Sequence, residues 1–260
     1  MSNTEADFIL STQHLSKGFK GFTAVDDVNL NVTRGDIHAL IGPNGAGKTT
    51  VFNLLTKFLP PSSGKILFNN QDITALDPAA VARLGVIRSF QISAVFPHLS
   101  VLENVRGALQ RKEKNSLHFW TSERVLNKLN GRAIELLASV GLESFAYSKT
   151  TDLSYGRKRA LEIATTLALE PELMLLDEPT QGMGHEDIDL VADLIKKVSQ
   201  NRTILMVEHN LHVVSKLADK ITVLQRGAIL TEGDYATVSA NPQVREAYMG
   251  TETVDQEVSA

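Results

Sequence analysis

The segment Gly42-Pro43-Asn44-Gly45-Ala46-Gly47-Lys48-Thr49 fits G-x-x-x-x-G-K-[ST], the spacing of a phosphate-binding loop. Its glycines let the backbone curl until several N–H groups face one anion. A helix that follows adds the positive end of its dipole. Lys48 can reach the β- and γ-phosphates, and Thr49 offers a hydroxyl to Mg²⁺. Far downstream an apolar run, Leu173-Met174-Leu175-Leu176, ends in Asp177-Glu178-Pro179. Two adjacent carboxylates leaving a buried strand are costly for structure alone. One that supports Mg²⁺ and one that activates a water account for both. Gln91 closes another apolar run, where it is either a Mg²⁺ ligand that senses the γ-phosphate or a solvated strand end. Ser154 and Gly156 open a helix with three cations behind them, Arg157, Lys158 and Arg159. That is either an N-cap or an anion site; as a lone feature the cap is the better explanation. Phe19 is either a stacking surface for an adenine ring or a half-buried aromatic. The loop behind it favours stacking.

The elements that must carry these residues are legible from periodicity. His38 to Ile41 is a buried strand entering the loop. Val51, Phe52, Leu54, Leu55, Phe58 and Leu59 repeat at helical spacing behind it. The context is therefore strand, loop, helix. Ile9 to Val32 predicts short strands and turns, with Phe19 in one of the turns. Pro60-Pro61 is expected to stop the first helix. Lys65 to Phe68 predicts a strand, Asn69 to Asp72 a turn, and Asp77-Pro78 a capped helix start. Val86 to Gln91 predicts a strand. Leu99 to Gly141 carries no strand signal. Its apolar stripe of Leu126, Leu129, Ala133, Leu136 or Leu137, and Val140 predicts a separate helical lobe, ended by Gly141. A helix opens at Leu153 to Arg159 and stops at Pro171. Asp187 to Val198 is a further helix. Thr203 to Val207 is a strand that ends at Glu208-His209, and helix Leu211 to Ala218 follows. Ile221 to Leu230 predicts a hairpin around Gln225-Arg226-Gly227. The tail after Gly250 is polar and acidic.

Composition narrows the options. A length of 260 residues with 43% hydrophobic content supports a proper core. A net charge of −4 argues against a nucleic-acid or anionic-membrane surface. There are no cysteines, so disulfides, thiolate metal sites and cysteine nucleophiles are excluded. Met1 to Leu10 lacks the pattern of a secretory signal. No apolar run approaches a membrane span, so a membrane role would pass through a partner chain.

In the order phosphate loop, glutamine, LSYGR, LLLDEP and strand-end histidine, the chain resembles the ATP-binding subunit of ABC transporters, from about Leu10 to Thr251. The resemblance implies an α/β fold: a P-loop NTPase (RecA-like) core with an antiparallel β subdomain and an inserted helical lobe. Core and β subdomain would span about 8–92 and 158–251, the lobe about 93–157, and a loose tail 252–260. It implies nucleotide contacts at Phe19, Val25, Gly42, Pro43, Asn44, Gly45, Ala46, Gly47, Lys48, Thr49 and Thr50. It also implies Mg²⁺ at Thr49, Gln91 and Asp177, Glu178 as catalytic base, and His209 on the γ-phosphate. Ser154 and Gly156 would close over the ATP of a second subunit, either another copy or a sister chain. A permease helix would dock near Gln91, Phe96 and Pro97, which puts the chain on the cytoplasmic face of the membrane.

Phe19 to Val25, Leu153 to Gly156, Gly182-Met183 and Asn241 to Gly250 resemble the high-affinity branched-chain amino acid importers, which also work with an external solute-binding protein. Importers of urea and amides share much of this pattern. Three departures stand out: Tyr155 and Arg157 within LSGGQ, and Gly184 where many relatives carry an aspartate. A soluble ABC protein of translation or repair would usually carry two cassettes or a long coiled coil, and neither is visible. A non-hydrolysing regulator fits poorly with Lys48, Asp177, Glu178 and His209 together.

Overall fold

The computed structural model describes residues 7–89, 95–111 and 128–247. β1 (Phe8–Phe19) and β2 (Phe22–Val28) form an antiparallel hairpin that turns at Gly21. β3 (Asn31–Thr33) pairs with the start of β1. β4 (Ile37–Ile41) runs into the phosphate loop and helix α1 (Lys48–Leu55). β5 (Ser63–Phe68) and β6 (Gln71–Asp72) complete an antiparallel sheet of order β2-β1-β5-β6. Asn69 and Asn70 turn that last hairpin, both at positive φ, which asparagine tolerates.

α2 (Pro78–Arg83) starts as its sequence demands. The Asp77 carboxylate accepts the Ala80 N–H at 2.7 Å, and Pro78 takes the first helical position. β7 (Val86–Ser89), α3 (Val101–Gln110), α4 (Asn130–Ser139) and α5 (Tyr155–Leu167) follow. Then come β8 (Leu173–Asp177), α6 (His185–Val198), β9 (Thr203–Val207) and α7 (Leu211–Leu217). The hairpin β10 (Lys220–Gln225) and β11 (Ala228–Gly233) precedes α8 (Tyr235–Ala240). The second sheet has the order β11-β10-β4-β9-β8-β7 and is parallel except at β11.

Strand alternation places this sheet between two cores. Ile37, Ala39, Ile41, Met174, Leu176, Ile204 and Met206 face the helices. Leu40, Leu173, Leu175, Leu205 and Val207 face α1 and the antiparallel sheet, beside Phe52, Leu54 and Phe68. Each of these side chains other than Ala39 contributes roughly 2 kcal/mol on burial. Leu136 and Leu137 of α4 belong to the same cluster as Ile37 of β4. Among the described residues, the helical block thus shares its core with the parallel sheet rather than closing on one of its own.

Two expectations shift. The first helix ends at Leu55, before Pro60, because Lys57 turns at positive φ and Phe58 is exposed. Phe19 is the last residue of β1, opposite Phe22, not part of the turn. The described part of the strand at Val86 runs to Ser89; Phe90 and Gln91, like Leu126 of the helical stripe and the 252–260 tail, lie outside the described residues. Gly141 does close α4, at φ 73°, with Leu142 N–H donating to Leu137 O at 2.8 Å. No described helix is long and apolar enough to cross a membrane.

Candidate active site

Two glycines make the phosphate loop possible. Gly42 sits at φ 149°, and a Cβ there would lie 2.2 Å from the Leu224 carbonyl oxygen. Gly47 sits at φ 102°, and its Cβ would lie 2.4 Å from the Ala24 oxygen. The loop is braced from behind by the β10–β11 turn, where Gly227 N–H donates to Ala46 O at 3.0 Å and Gly227 O accepts Asp26 N–H at 2.8 Å. Ala46 is buried, Pro43 and Thr50 are half-buried, and Asn44, Gly45 and Thr49 are exposed at the mouth. Val25, expected at the nucleotide, has its side chain fully buried in the core, where β2 supports the loop. Phe19 and Phe22 are both exposed aromatics at the end of the β1–β2 hairpin, with Lys17 Nζ 5.5 Å from the Phe19 ring.

Lys48 is buried and folds back over the loop, donating to Gly42 O at 2.6 Å and Pro43 O at 3.0 Å. Burial pulls its ammonium below the ordinary pKa, opposed by the charges of Glu178 and Asp177. The fold thus brings the phosphate-loop cation and the two strand-end carboxylates together. No side chain caps α1, and its first turn holds no acid, so its N-terminal N–H groups and positive dipole end remain available to an anion.

Asp177 ends β8, one strand from Arg88 on β7, where Arg88 is opposite Leu175. The Arg88 guanidinium donates to the Asp177 carboxylate through Nη2 and to Asn53 of α1 through Nη1 at 2.7 Å, and lies over the Phe52 ring at 5.8 Å. Arg159 of α5 donates to the Asp177 carbonyl at 3.1 Å and pairs with the buried Glu162. Burial raises the Glu162 carboxyl, opposed by the charge of Arg159. Glu178 adopts φ 44°, a left-handed backbone that costs a non-glycine residue about 1–2 kcal/mol. Its N–H donates to Val207 O at 2.9 Å.

His209 follows β9, half-exposed, with Nδ1 3.5 Å from the buried Glu208. Ser154 occupies the N-cap position of α5, yet its side chain makes no capping hydrogen bond, so the cap explanation falls. Ser154, Gly156 and Arg157 line a cavity with Asp187 and Leu190, apart from the phosphate loop. Arg157 spends its charge on the Phe145 ring at 4.2 Å. Tyr155 approaches the turn after Pro179: a Cβ on Gly182 would meet its hydroxyl at 3.7 Å. Gln91, expected to join the metal ligands, lies outside the described residues. Thr49 and Asp177 remain, an all-oxygen pair, which suits a hard cation held mainly by phosphates and water.

Sequence reasoning missed two of these groups, Arg88 and Glu208. Arg159, grouped in the sequence with the cations of a possible anion site, is instead buried against Glu162 and the Asp177 carbonyl, and only strand order and helix placement reveal the partners of Arg88 and Arg159.

A family profile described as ABC transporter matches residues 25–181. The chain belongs to the ABC transporter family. The cassette has the P-loop NTPase fold and is an ABC-type ATPase. A second profile, described as branched-chain amino acid ATP-binding cassette transporter, matches residues 228–254. The high-affinity branched-chain amino acid transport ATP-binding protein LivG of Escherichia coli K12 is 36% identical over 93% of this cassette and 98% of its own length. BraF of Pseudomonas aeruginosa, of the same description, is also 36% identical, with the same coverage. Among solved structures, the ADP conformation of an ATP-binding cassette of an ABC transporter aligns with TM-score 0.82 and 30% identity, covering 94% of this chain and 99% of that one. A dimeric cassette in a post-hydrolysis state bound to ADP and Pi aligns with TM-score 0.73 and 26% identity, covering 86% and 98%.

Proposed function

We propose that this cassette hydrolyses MgATP to power an ABC importer for branched-chain or related amino acids. The observation that carries the reading is that Arg88 ties the Asp177 carboxylate to Asn53 of α1, the helix that Lys48 opens, within a chain similar to LivG over nearly its full length. The α1 N-terminus and Lys48 bind the phosphates. Thr49 and Asp177, with Gln91, hold Mg²⁺, which offsets charge on the phosphate oxygens when bound. Phe19 stacks on the adenine. Glu178 takes the proton of the attacking water, and His209 steadies the γ-phosphate as charge spreads.

Ser154 and Gly156 serve the ATP of a second ATP-binding subunit. The uncapped Ser154 hydroxyl supports this role. ATP then joins the two subunits, and hydrolysis loosens them. Permease subunits dock near Gln91, Phe96 and Pro97. Phe96 stands exposed nearby in sequence, its backbone held by Asn104 at 2.7 Å. The chain then works at the cytoplasmic face of the membrane, beside an external solute-binding protein.

Deleting the chain from its host and measuring uptake of labelled leucine tests the reading. Loss of uptake, restored by the parent and not by Glu178→Gln, is expected. Unchanged leucine uptake with lost urea or amide uptake would overturn the substrate class.

A further inference from the structure

Glu208 is a fully buried carboxylate immediately after β9. Four donors converge on its two oxygens. Thr180 gives its hydroxyl at 2.8 Å and its backbone N–H at 3.3 Å to Oε2. The backbone N–H groups of His209 and Asn210 donate to Oε1 at 3.0 and 3.1 Å. Each oxygen therefore serves a different loop. Thr180 is also buried and stands two residues past Glu178, with Pro179 between them. Asn210 in turn caps α7, accepting the His212 N–H at 3.0 Å.

Among the described residues no lysine or arginine pairs with Glu208. An ionised carboxylate buried without such a partner is expensive unless its lone pairs are fully engaged. An apolar residue would pack β9 at lower cost. What the acid supplies is a tie that an apolar residue cannot make.

We infer that Glu208 is a positioning residue, setting Glu178 and His209 relative to each other by joining Thr180 to the backbone of His209 and Asn210. The inference rests on the roles proposed above for Glu178 and His209. Both oxygens must accept. Glutamine preserves the volume but turns one acceptor into a donor, so one loop loses its anchor. Among the described residues Glu208 makes its hydrogen bonds to Thr180, His209 and Asn210 and none to the phosphate loop, so nucleotide affinity is expected to be retained while turnover falls.

The test uses the full chain with MgATP. It reads phosphate release against ATP concentration, binding of a fluorescent ADP analogue, and the thermal midpoint. Glu208→Gln is expected to lower kcat by about 10–100-fold, with KM and analogue affinity within about threefold of the parent. Thr180→Val removes one hydroxyl and is expected to lower kcat about 3–10-fold. The double variant should be no slower than Glu208→Gln alone, since both act through one tie. A purely structural role predicts a lower midpoint with kcat unchanged well below it. That result, or additive losses in the double variant, overturns the inference. If Glu208→Gln fails to fold, Thr180→Val decides: an unchanged kcat overturns it. Glu178→Gln runs in parallel. Should Glu178→Gln keep the parental rate while Glu208→Gln is slow, the base assignment fails and what Glu208 positions is His209 alone, through its backbone tie.

Discussion

Arg88 clasps the carboxylate of Asp177 across the β7–β8 strand pair, and both side chains are about nine-tenths buried. Removing one member of such a pair leaves an uncompensated charge in the interior. Arg88→Met should therefore cost about 3 kcal/mol of stability, seen as a lower urea midpoint. The change also frees Asn53 of α1, so weaker nucleotide binding should accompany it. Arg88→Met with Asp177→Asn should recover part of the stability, because the stranded charge is gone. A midpoint equal to the parent in the single variant would show that the pair carries no net stabilisation.

Glu178→Gln should slow phosphate release by about 10²–10⁴-fold, the usual worth of a positioned acid–base group. ATP binding should persist, and light scattering with MgATP should find more dimer than in the parent. Normal turnover in this variant would remove Glu178 from the base role.

Gly47→Ala and Gly45→Ala separate steric need from backbone freedom. Gly45 has open space around its missing Cβ, so alanine there meets only the φ penalty of about 1–2 kcal/mol. At Gly47 alanine adds a clash with Ala24 O. Loss of fluorescent ATP-analogue binding should be near complete for Gly47→Ala and partial for Gly45→Ala. Equal effects would count against the brace from β2.

Ser154→Ala offers a clean separation of helix capping from nucleotide contact. A lost N-cap bond usually costs about 1 kcal/mol, but Ser154 makes none. The thermal midpoint should stay put while ATP-driven dimerisation weakens. A lower midpoint with unchanged dimerisation would restore the capping role.

His38 predicts an acid limit. It is buried on β4, hydrogen-bonded to Thr222 at 2.7 Å, and burial pulls its imidazole from 6.5 to about 4, opposed by Glu232 and reinforced by Lys220. The unfolded chain takes up this proton as pH falls through 6.5, and the folded chain does not until about 4. Stability is thus whole above the unfolded value and drains between pH 6.5 and 4, by ~3 kcal/mol at most. Urea midpoints at pH 7.5 and 4.5 should differ less in His38→Gln than in the parent.

Much of this molecule was legible before any coordinates. The phosphate loop, the buried strands at His38, Leu173 and Thr203, and the Asp77 cap are local patterns with one physical solution each. The α/β architecture followed from the order of these motifs through the resemblance they carry. What stayed hidden depends on neighbours distant in sequence. Arg88 and Asp177 meet because β7 lies beside β8, and Glu208 reaches Thr180 because β9 lies on the other side. The end of α1 was misplaced because Phe58 and Leu59 continue the apolar spacing after the backbone has already turned at Lys57.

One helix, α5, carries Ser154 and Gly156 at its first turn and, a turn further on, fastens Arg159 to the backbone of Asp177. A rigid rod of this length transmits displacement with little give. In a pair of such subunits, a pull exerted on the near end by a neighbour's nucleotide would be felt at the far subunit's own cation-holding strand. The two chambers would then be geared together through one helix and one hydrogen bond, with no messenger required.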